Sequence, residues 1–156
     1  VKEVLDYHVE YFKGKKFLEP SCGCGRFMDE IRERGGEVFG IEYDGTRVSE
    51  ARAKGHSVLR ANFLETEPEP IYDYVVMNPP FSGKGYAKHL RHAYKYLKPK
   101  GKLISILPVT AKYDHGIIDS EFPSQRYEKN WRDLPVGSFR ESGTNINTGV
   151  FVTFKE

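Results

Sequence analysis

The chain has 156 residues, of which 38% are hydrophobic and 29% are charged, and its formal net charge is +2. This length fits one domain with one core, and the composition is that of a globular chain rather than a disordered one. No apolar run is long enough to span a membrane, the start does not resemble a signal peptide, and Cys22 and Cys24 are too close for a structural disulfide, so we expect a cytoplasmic protein. A charge this close to zero neither demands nor excludes a nucleic-acid partner, because local patches decide that.

Strand-like and helix-like segments alternate along the chain, which favours an α/β layered fold. The first predicted helix carries apolar residues from Val4 to Phe12 and ends at Gly14. The other helices are predicted at about 27–35, 46–54 and 86–97, and a loop with a short helix near 125–131 is expected within 110–131. The predicted strands are 16–19, 37–42, 57–61, 72–77, 102–107, 136–140 and 149–154.

A turn rich in small residues, from Glu19 to Gly25, separates the first predicted strand from the next helix. Gly23 and Gly25 let the backbone approach a ligand closely, and the following helix offers free N–H groups. In an open α/β sheet, a nucleotide-like cofactor binds at this turn. The third glycine of a dinucleotide fingerprint is absent, and Glu19 suits a ligand with an ammonium group and a sulfonium better than a pyrophosphate. An ordinary strand-to-helix turn is the alternative.

The second predicted strand ends in an acidic residue, Glu42, about twenty residues after the glycine turn. A carboxylate at this position can accept hydrogen bonds from ribose hydroxyls. Dinucleotide enzymes share this feature, so it indicates a ribose without identifying the cofactor. Asp44 fits the N-cap of the helix that follows.

The most specific motif is Asn78-Pro79-Pro80-Phe81, which follows a strand predicted to be buried. The motif therefore lies at the carboxyl end of the sheet, where ligands bind in open α/β folds. Two prolines hold the backbone rigid and remove N–H donors, which leaves carbonyl acceptors. A rigid turn without chemistry is the alternative.

These residue types suit methylation of an amino group attached to an aromatic ring. Such a nitrogen is a poor nucleophile because its lone pair is delocalised into the ring. Hydrogen bonds from its two N–H groups to the Asn78 side-chain oxygen and the Pro79 carbonyl would localise the lone pair. Phe81 would stack on the planar substrate and orient it. No strong base is needed at first, because the attacked nitrogen becomes acidic once it is methylated.

Together these segments resemble the S-adenosylmethionine-dependent amino-methyltransferases, in particular the adenine-specific DNA methyltransferases. Residues 19–27 look like the cofactor loop of that family, and residues 40–44 look like its ribose-binding motif. Residues 61–64 look like the segment that holds the cofactor adenine, and residues 73–81 like the catalytic motif. The tail, 134–148, resembles the end of bacterial and phage adenine methyltransferases.

The resemblance implies a Rossmann-like class I methyltransferase fold in one domain, residues 1–156. Its sheet would have seven mostly parallel strands, an antiparallel closing strand and helices on both faces. The resemblance also implies S-adenosylmethionine as the cofactor and S-adenosylhomocysteine as the product. Catalysis would depend on Asn78, Pro79, Pro80 and Phe81. The expected cofactor-binding residues are Glu19, Pro20, Ser21, Cys22, Gly23, Gly25, Glu42, Tyr43, Asn62, Phe63 and Asn78.

One cofactor position departs from the family, because this chain has Asn62 where the family usually has Asp. An asparagine oxygen can still accept a hydrogen bond from an adenine amino group. By the same resemblance, Phe139 is expected to pack the substrate base, with core packing as the alternative. Lys84 and Lys88 lie close to the catalytic motif and could bind phosphates beside an extruded base, with a solvated helix face as the alternative.

The expected substrate is therefore adenine in DNA. A base amino group in RNA or a protein glutamine amide is an alternative, because the same motif would serve all three. The chain carries only a catalytic core, without the usual target-recognition region. Short loops or a separate partner would supply recognition, and a cofactor-binding subunit that depends on a partner is a further alternative. A dehydrogenase is least favoured.

Overall fold

The computed structural model describes residues 1–79, 85–112, 130–135, 138 and 147–156. Within them, seven strands form one sheet: β1 (Lys16–Glu19), β2 (Glu37–Glu42), β3 (Ser57–Arg60), β4 (Tyr72–Met77), β5 (Leu97–Pro108), β6 (Trp131–Asp133) and β7 (Thr148–Phe154). The helices are α1 (Lys2–His8), α2 (Arg26–Glu33), α3 (Gly45–Ala53) and α4 (Tyr86–Tyr94), with short 3₁₀ helices at Phe63–Glu65 and Val109–Lys112.

The sheet has the order β3-β2-β1-β4-β5-β7-β6. Strands β1 to β5 pair in parallel, whereas β7 runs antiparallel to both β5 and β6. The predicted fold class is confirmed: a seven-stranded, mostly parallel sheet with an antiparallel closing strand. Because β1 lies between β2 and β4, the carboxyl ends of these three strands meet at one edge of the sheet.

Both faces of the sheet are covered. Successive strand residues point to opposite faces, so adjacent residues enter different cores. Phe17 and Val76 belong to a core that also contains residues of α1, α2 and α3, whereas Leu18 and Met77 belong to a second core with α4. Burial on both faces explains why the central strands are almost continuously apolar in sequence.

The first helix is shorter than its apolar spacing predicts. It ends at His8, and Val9 already has extended backbone angles, with φ −113° and ψ 121°. The chain then carries Phe12 onto the ring of Phe17, where the two rings stack with centroids 5.6 Å apart. Phe12 therefore contributes to the core from outside the helix. Its spacing from the apolar residues of α1 wrongly predicts that it belongs to that helix.

Strand β5 begins five residues before its predicted start, because Leu97 already pairs with Tyr72. The helix predicted to reach residue 97 ends at Tyr94. The pairing of β5 with β4 shifts in register between Tyr72 and Tyr74, and Lys100 within β5 has a φ of 68°. The edge strand also differs from prediction. Trp131, predicted at the end of a short helix, begins β6, and the predicted strand 136–140 falls almost wholly outside the described residues.

Candidate functional site

A cleft of about 550 Å³ opens where the ends of β1, β2 and β4 converge. In an open α/β sheet this is the edge at which ligands bind, because the chain leaves neighbouring strands in opposite directions there. Seven of the predicted site residues line the cleft: Pro20, Ser21, Glu42, Tyr43, Asn62, Phe63 and Asn78.

The glycine turn between β1 and α2 depends on left-handed backbone. Gly23 and Gly25 have φ values of 56° and 94°, a region that other L-residues rarely adopt. Gly25 also lies against His56, whose ring carbon would be 2.7 Å from any added Cβ. Position 25 therefore requires glycine, both because its backbone is left-handed and because a side chain would collide with His56.

The cysteines of this turn differ in their surroundings. Cys22 is buried in the core with α2, and its N–H donates to the Ile41 carbonyl at 3.1 Å, which joins the turn to β2. Burial raises the pKa of its thiol. Cys24 is partly exposed, and both cysteines are free thiols. The Cys22 side chain is therefore a packing group, and only its backbone is placed to act in the turn.

Glu42 organises the floor of the cleft. One carboxylate oxygen accepts the N–H of Gly23 and the other accepts the N–H of Asp44, each at 2.9 Å. Asp44 in turn caps α3 by accepting the N–H of Thr46 at 2.9 Å, which confirms the predicted cap. A carboxylate has about four acceptor positions, so Glu42 can still accept hydrogen bonds from a diol on the cleft side.

Glu19 lies behind the glycine turn and is not on the wall of the cleft. Its side chain is 3% exposed, and its Oε2 atom has no hydrogen-bond partner among the described residues. Burial raises the pKa of the Glu19 carboxyl well above its usual range, and Cys24, Glu42 and Asp29 act in the same direction. A buried carboxyl with an unpartnered oxygen beside a cleft suits a ligand that carries positive charge.

Asn62 and Phe63 form the far end of the cleft. The Asn62 side-chain oxygen accepts the N–H of Leu64 at 3.1 Å and so begins the short 3₁₀ helix. This contact occupies part of the acceptor capacity of the Asn62 oxygen, which the sequence analysis predicts to bind the amino group of the cofactor adenine. Phe63 is buried and offers an apolar surface, and Tyr43 is 74% exposed beside it on the cleft wall.

The catalytic motif is described only in part. Asn78 is half-buried and lines the cleft, and Pro79 is buried directly after it. Lys88 is exposed on α4. The other predicted positions, Pro80, Phe81, Lys84 and Phe139, lie outside the described residues.

Three residues of the cleft were missed by the sequence analysis: Arg47, Glu65 and His89. His89 is half-buried, and burial lowers its pKa. Its ring lies 5.8 Å from that of Phe63. One signal could have revealed it: His89 is one helical turn after Tyr86, a buried residue of the apolar stripe of α4.

The residues of the cleft fit an S-adenosyl group. Glu42 retains acceptor positions for a ribose, and Phe63 and Tyr43 provide surfaces for a purine. Next to the cleft, Glu19 is a buried acidic group, and the described residues that act on it all oppose a negative charge. Among the described residues, no group of three or more His, Cys, Asp or Glu side chains is arranged to hold a metal ion. In the same part of the chain, no helix has the length and apolar character needed to cross a membrane.

This fold and cleft are those of an open α/β protein with a candidate ligand site at the carboxyl edge of its sheet. Residues 7–130 match the family model of the methyltransferase small domain. The chain therefore belongs to the methyltransferase small domain family, which confirms that it is a methyltransferase.

Individual relatives are more distant. The chain is 22% identical to the Type II methyltransferase M.CvrRI of Paramecium bursaria Chlorella virus XZ-6E, over 99% of this chain and 46% of the relative. An S-adenosylmethionine-dependent methyltransferase from Mesorhizobium loti superposes with a TM-score of 0.60 and 20% identity, over 68% of this chain and 52% of its own. The chain thus spans about half the length of these two relatives.

A third similarity is to a Haloferax volcanii protein described as a methyltransferase and solved in complex with the Trm112 methyltransferase activator. Its TM-score is 0.67 at 15% identity, over 97% of this chain and 86% of that chain. At these identities the structural likeness establishes the shared fold. The S-adenosylmethionine dependence of the Mesorhizobium loti neighbour agrees with the cofactor predicted from the sequence.

Proposed function

We propose that this chain transfers the methyl group of S-adenosylmethionine to the exocyclic amino group of adenine in DNA. The observation that carries the proposal is that Asn78 lines the same cleft as Glu42 and Asn62. A cofactor whose ribose lies at Glu42 and whose adenine lies near Asn62 would share that cleft with the residue that holds the acceptor amino group.

In this proposal S-adenosylmethionine supplies an activated methyl group, and the protein prepares the nitrogen that receives it. The Asn78 side-chain oxygen and the Pro79 carbonyl accept the two N–H groups of the substrate amine. Two acceptors on one nitrogen favour a tetrahedral geometry, which localises the lone pair. Phe81 is proposed to stack on the base and to fix its angle.

Similarity to a viral Type II methyltransferase supports a nucleic-acid acceptor. Lys88 is exposed on the helix that follows the catalytic motif, where it can bind a phosphate next to an extruded base. Lys84 and Phe139 are proposed to bind the DNA and the base. The RNA and glutamine alternatives use the same acceptor chemistry, so an acceptor assay has to separate them.

A second candidate is a catalytic subunit that needs a partner for target recognition. The similarity to a protein solved with a bound activator favours it. Under this candidate, the chain binds cofactor by itself but methylates DNA only when the partner is added.

The acceptor assay incubates the protein with methyl-labelled S-adenosylmethionine and, separately, duplex DNA, single-stranded DNA, RNA or a protein extract. We expect label on adenine N6 in DNA. Label on RNA or on glutamine would replace the proposed substrate. Cofactor binding without label on any acceptor, followed by labelling of DNA once a cell extract is added, would support the second candidate.

Asn78 provides the test of mechanism. Asn78→Ala should reduce methyl transfer about a hundredfold or more, because loss of one preorganised polar contact to the reacting group has this size. Cofactor binding, measured by calorimetry, should change little. Asn78→Asp retains an acceptor and should keep partial activity, and Ser57→Ala, at an exposed position of β3 on the opposite edge of the sheet, should match the wild type. Wild-type transfer by Asn78→Ala would mean that the motif is only a rigid turn.

A further inference from the structure

Glu19 is enclosed at the end of β1, directly behind the glycine turn of the cofactor cleft. The side chain is 3% exposed, and Oε2 is buried without a hydrogen-bond partner among the described residues. In an ionised carboxylate at this place, Oε2 has lost its hydration without gaining a donor. Its charged form is therefore strongly disfavoured in the free protein.

The described groups that act on Glu19 add no positive charge. The groups that act on it from the described elements are Cys24 of the turn, Glu42 of β2 and Asp29 of α2, and each of them opposes a negative charge there. Asp29 itself is engaged elsewhere, where it accepts a hydrogen bond from Lys54 at 3.0 Å and contacts His56 at 2.5 Å. Burial and these neighbours together hold the pKa of Glu19 well above its usual range.

We propose that Glu19 carries a proton in the free protein and that binding of the cationic methionine end of S-adenosylmethionine releases this proton to the solvent. The carboxyl O–H bond breaks, its electron pair stays on the carboxylate, and the new negative charge faces the bound ammonium and sulfonium groups. This inference rests on the proposed function, because it requires that S-adenosylmethionine binds in the cleft.

Release of a proton has a consequence for selectivity. A neutral ligand provides no positive charge to offset ionisation of Glu19, so it binds to the protonated form and releases no proton. A cationic ligand gains a favourable interaction with the ionised carboxylate and binds more tightly as the pH rises, by up to about tenfold per pH unit where one proton is released. Glu19 thus acts as a specificity-determining residue that favours charged ligands over neutral nucleosides.

The experiment is a calorimetric titration of the full chain with S-adenosylmethionine at about pH 6, in two buffers that differ in ionisation enthalpy. At this pH an amino group like that of the cofactor stays protonated, so its own titration does not contribute. The difference between the two heats gives the number of protons released. We expect the wild type to release up to one proton with S-adenosylmethionine and none with 5′-methylthioadenosine, which lacks the amino acid and the positive charge.

Glu19→Gln keeps the shape of the side chain and removes the titrating group. This variant should release no proton, and its affinity for S-adenosylmethionine should no longer rise with pH. The matched control is Glu33→Gln, an exposed glutamate of α2, which should behave as the wild type. Urea unfolding should show that Glu19→Gln folds, because it removes only a group that is already neutral.

Three results overturn the inference: no proton release by the wild type, the same release by Glu19→Gln, or the same release with 5′-methylthioadenosine. The wild-type comparison of the two ligands does not depend on the folding of any variant. A failure of the wild type to bind S-adenosylmethionine at any pH would instead overturn the proposed function. Binding without proton release would leave that function intact and remove only the role assigned to Glu19.

Discussion

Glu42 connects the stability of the cleft with its capacity to bind a ribose. It accepts the N–H groups of Gly23 and Asp44, both at 2.9 Å, and the residue as a whole is 9% exposed. Hydrogen bonds to a charged group contribute about 1.5–3 kcal/mol each, so the two bonds set an upper range of about 3–6 kcal/mol. Because both N–H groups lie in turns beside an open cleft and can bind water instead, we expect Glu42→Ala to lose about 2–3 kcal/mol of the free energy of unfolding.

The same substitution should weaken S-adenosylhomocysteine binding by at least tenfold, because it also removes the acceptor for the ribose hydroxyls, a loss of about 1.5–3 kcal/mol. Glu42→Gln keeps one acceptor oxygen and should fall between Glu42→Ala and the wild type in both measurements. Glu50→Ala, at an exposed position of α3, is the control for loss of a negative charge. Urea unfolding and calorimetry provide the two values. If Glu42→Ala unfolds at the wild-type urea concentration and binds S-adenosylhomocysteine with wild-type affinity, the role assigned to Glu42 is wrong.

Two further predictions concern nucleic acid and pH. If Lys84 and Lys88 contact phosphates, the double alanine variant should show a log–log dependence of DNA affinity on salt that is shallower by about two units, and an unchanged slope would assign them to a solvated helix face. Burial, helped by Arg132 and Lys102, lowers the pKa of His8 to about 4. The unfolded chain therefore takes up this proton first, so the free energy of unfolding should fall as the pH drops from about 6.5 to about 4, by up to about 1.4 kcal/mol per pH unit. His8→Gln should flatten this dependence in urea unfolding, and an equally steep fall in the variant would exclude His8 as its source.

The sequence determined the layered fold and the strands that carry the site. Strands β1, β2 and β4 have the bounds that their apolar runs predict, because buried parallel strands show as short hydrophobic segments bounded by charged, glycine or proline residues. The cap of α3 by Asp44 could also be predicted, because an N-cap depends on the chemistry of a few adjacent residues. Because parallel strands end at one edge of a sheet, the acidic residue Glu42 and the motif at Asn78 could be placed together before any coordinates were known.

Other features depend on contacts between segments far apart in the chain, and only the tertiary structure decided them. Leu97 became a strand residue because Tyr72 was available to pair with it. His89 reached the cleft because α4 packs with Phe63 from another segment. The enclosure of Glu19 follows from the packing of the glycine turn against β2 and α2, which no local pattern encodes. Local sequence therefore specified the elements and their chemical groups, whereas burial and electrostatic surroundings followed from which faces meet in space.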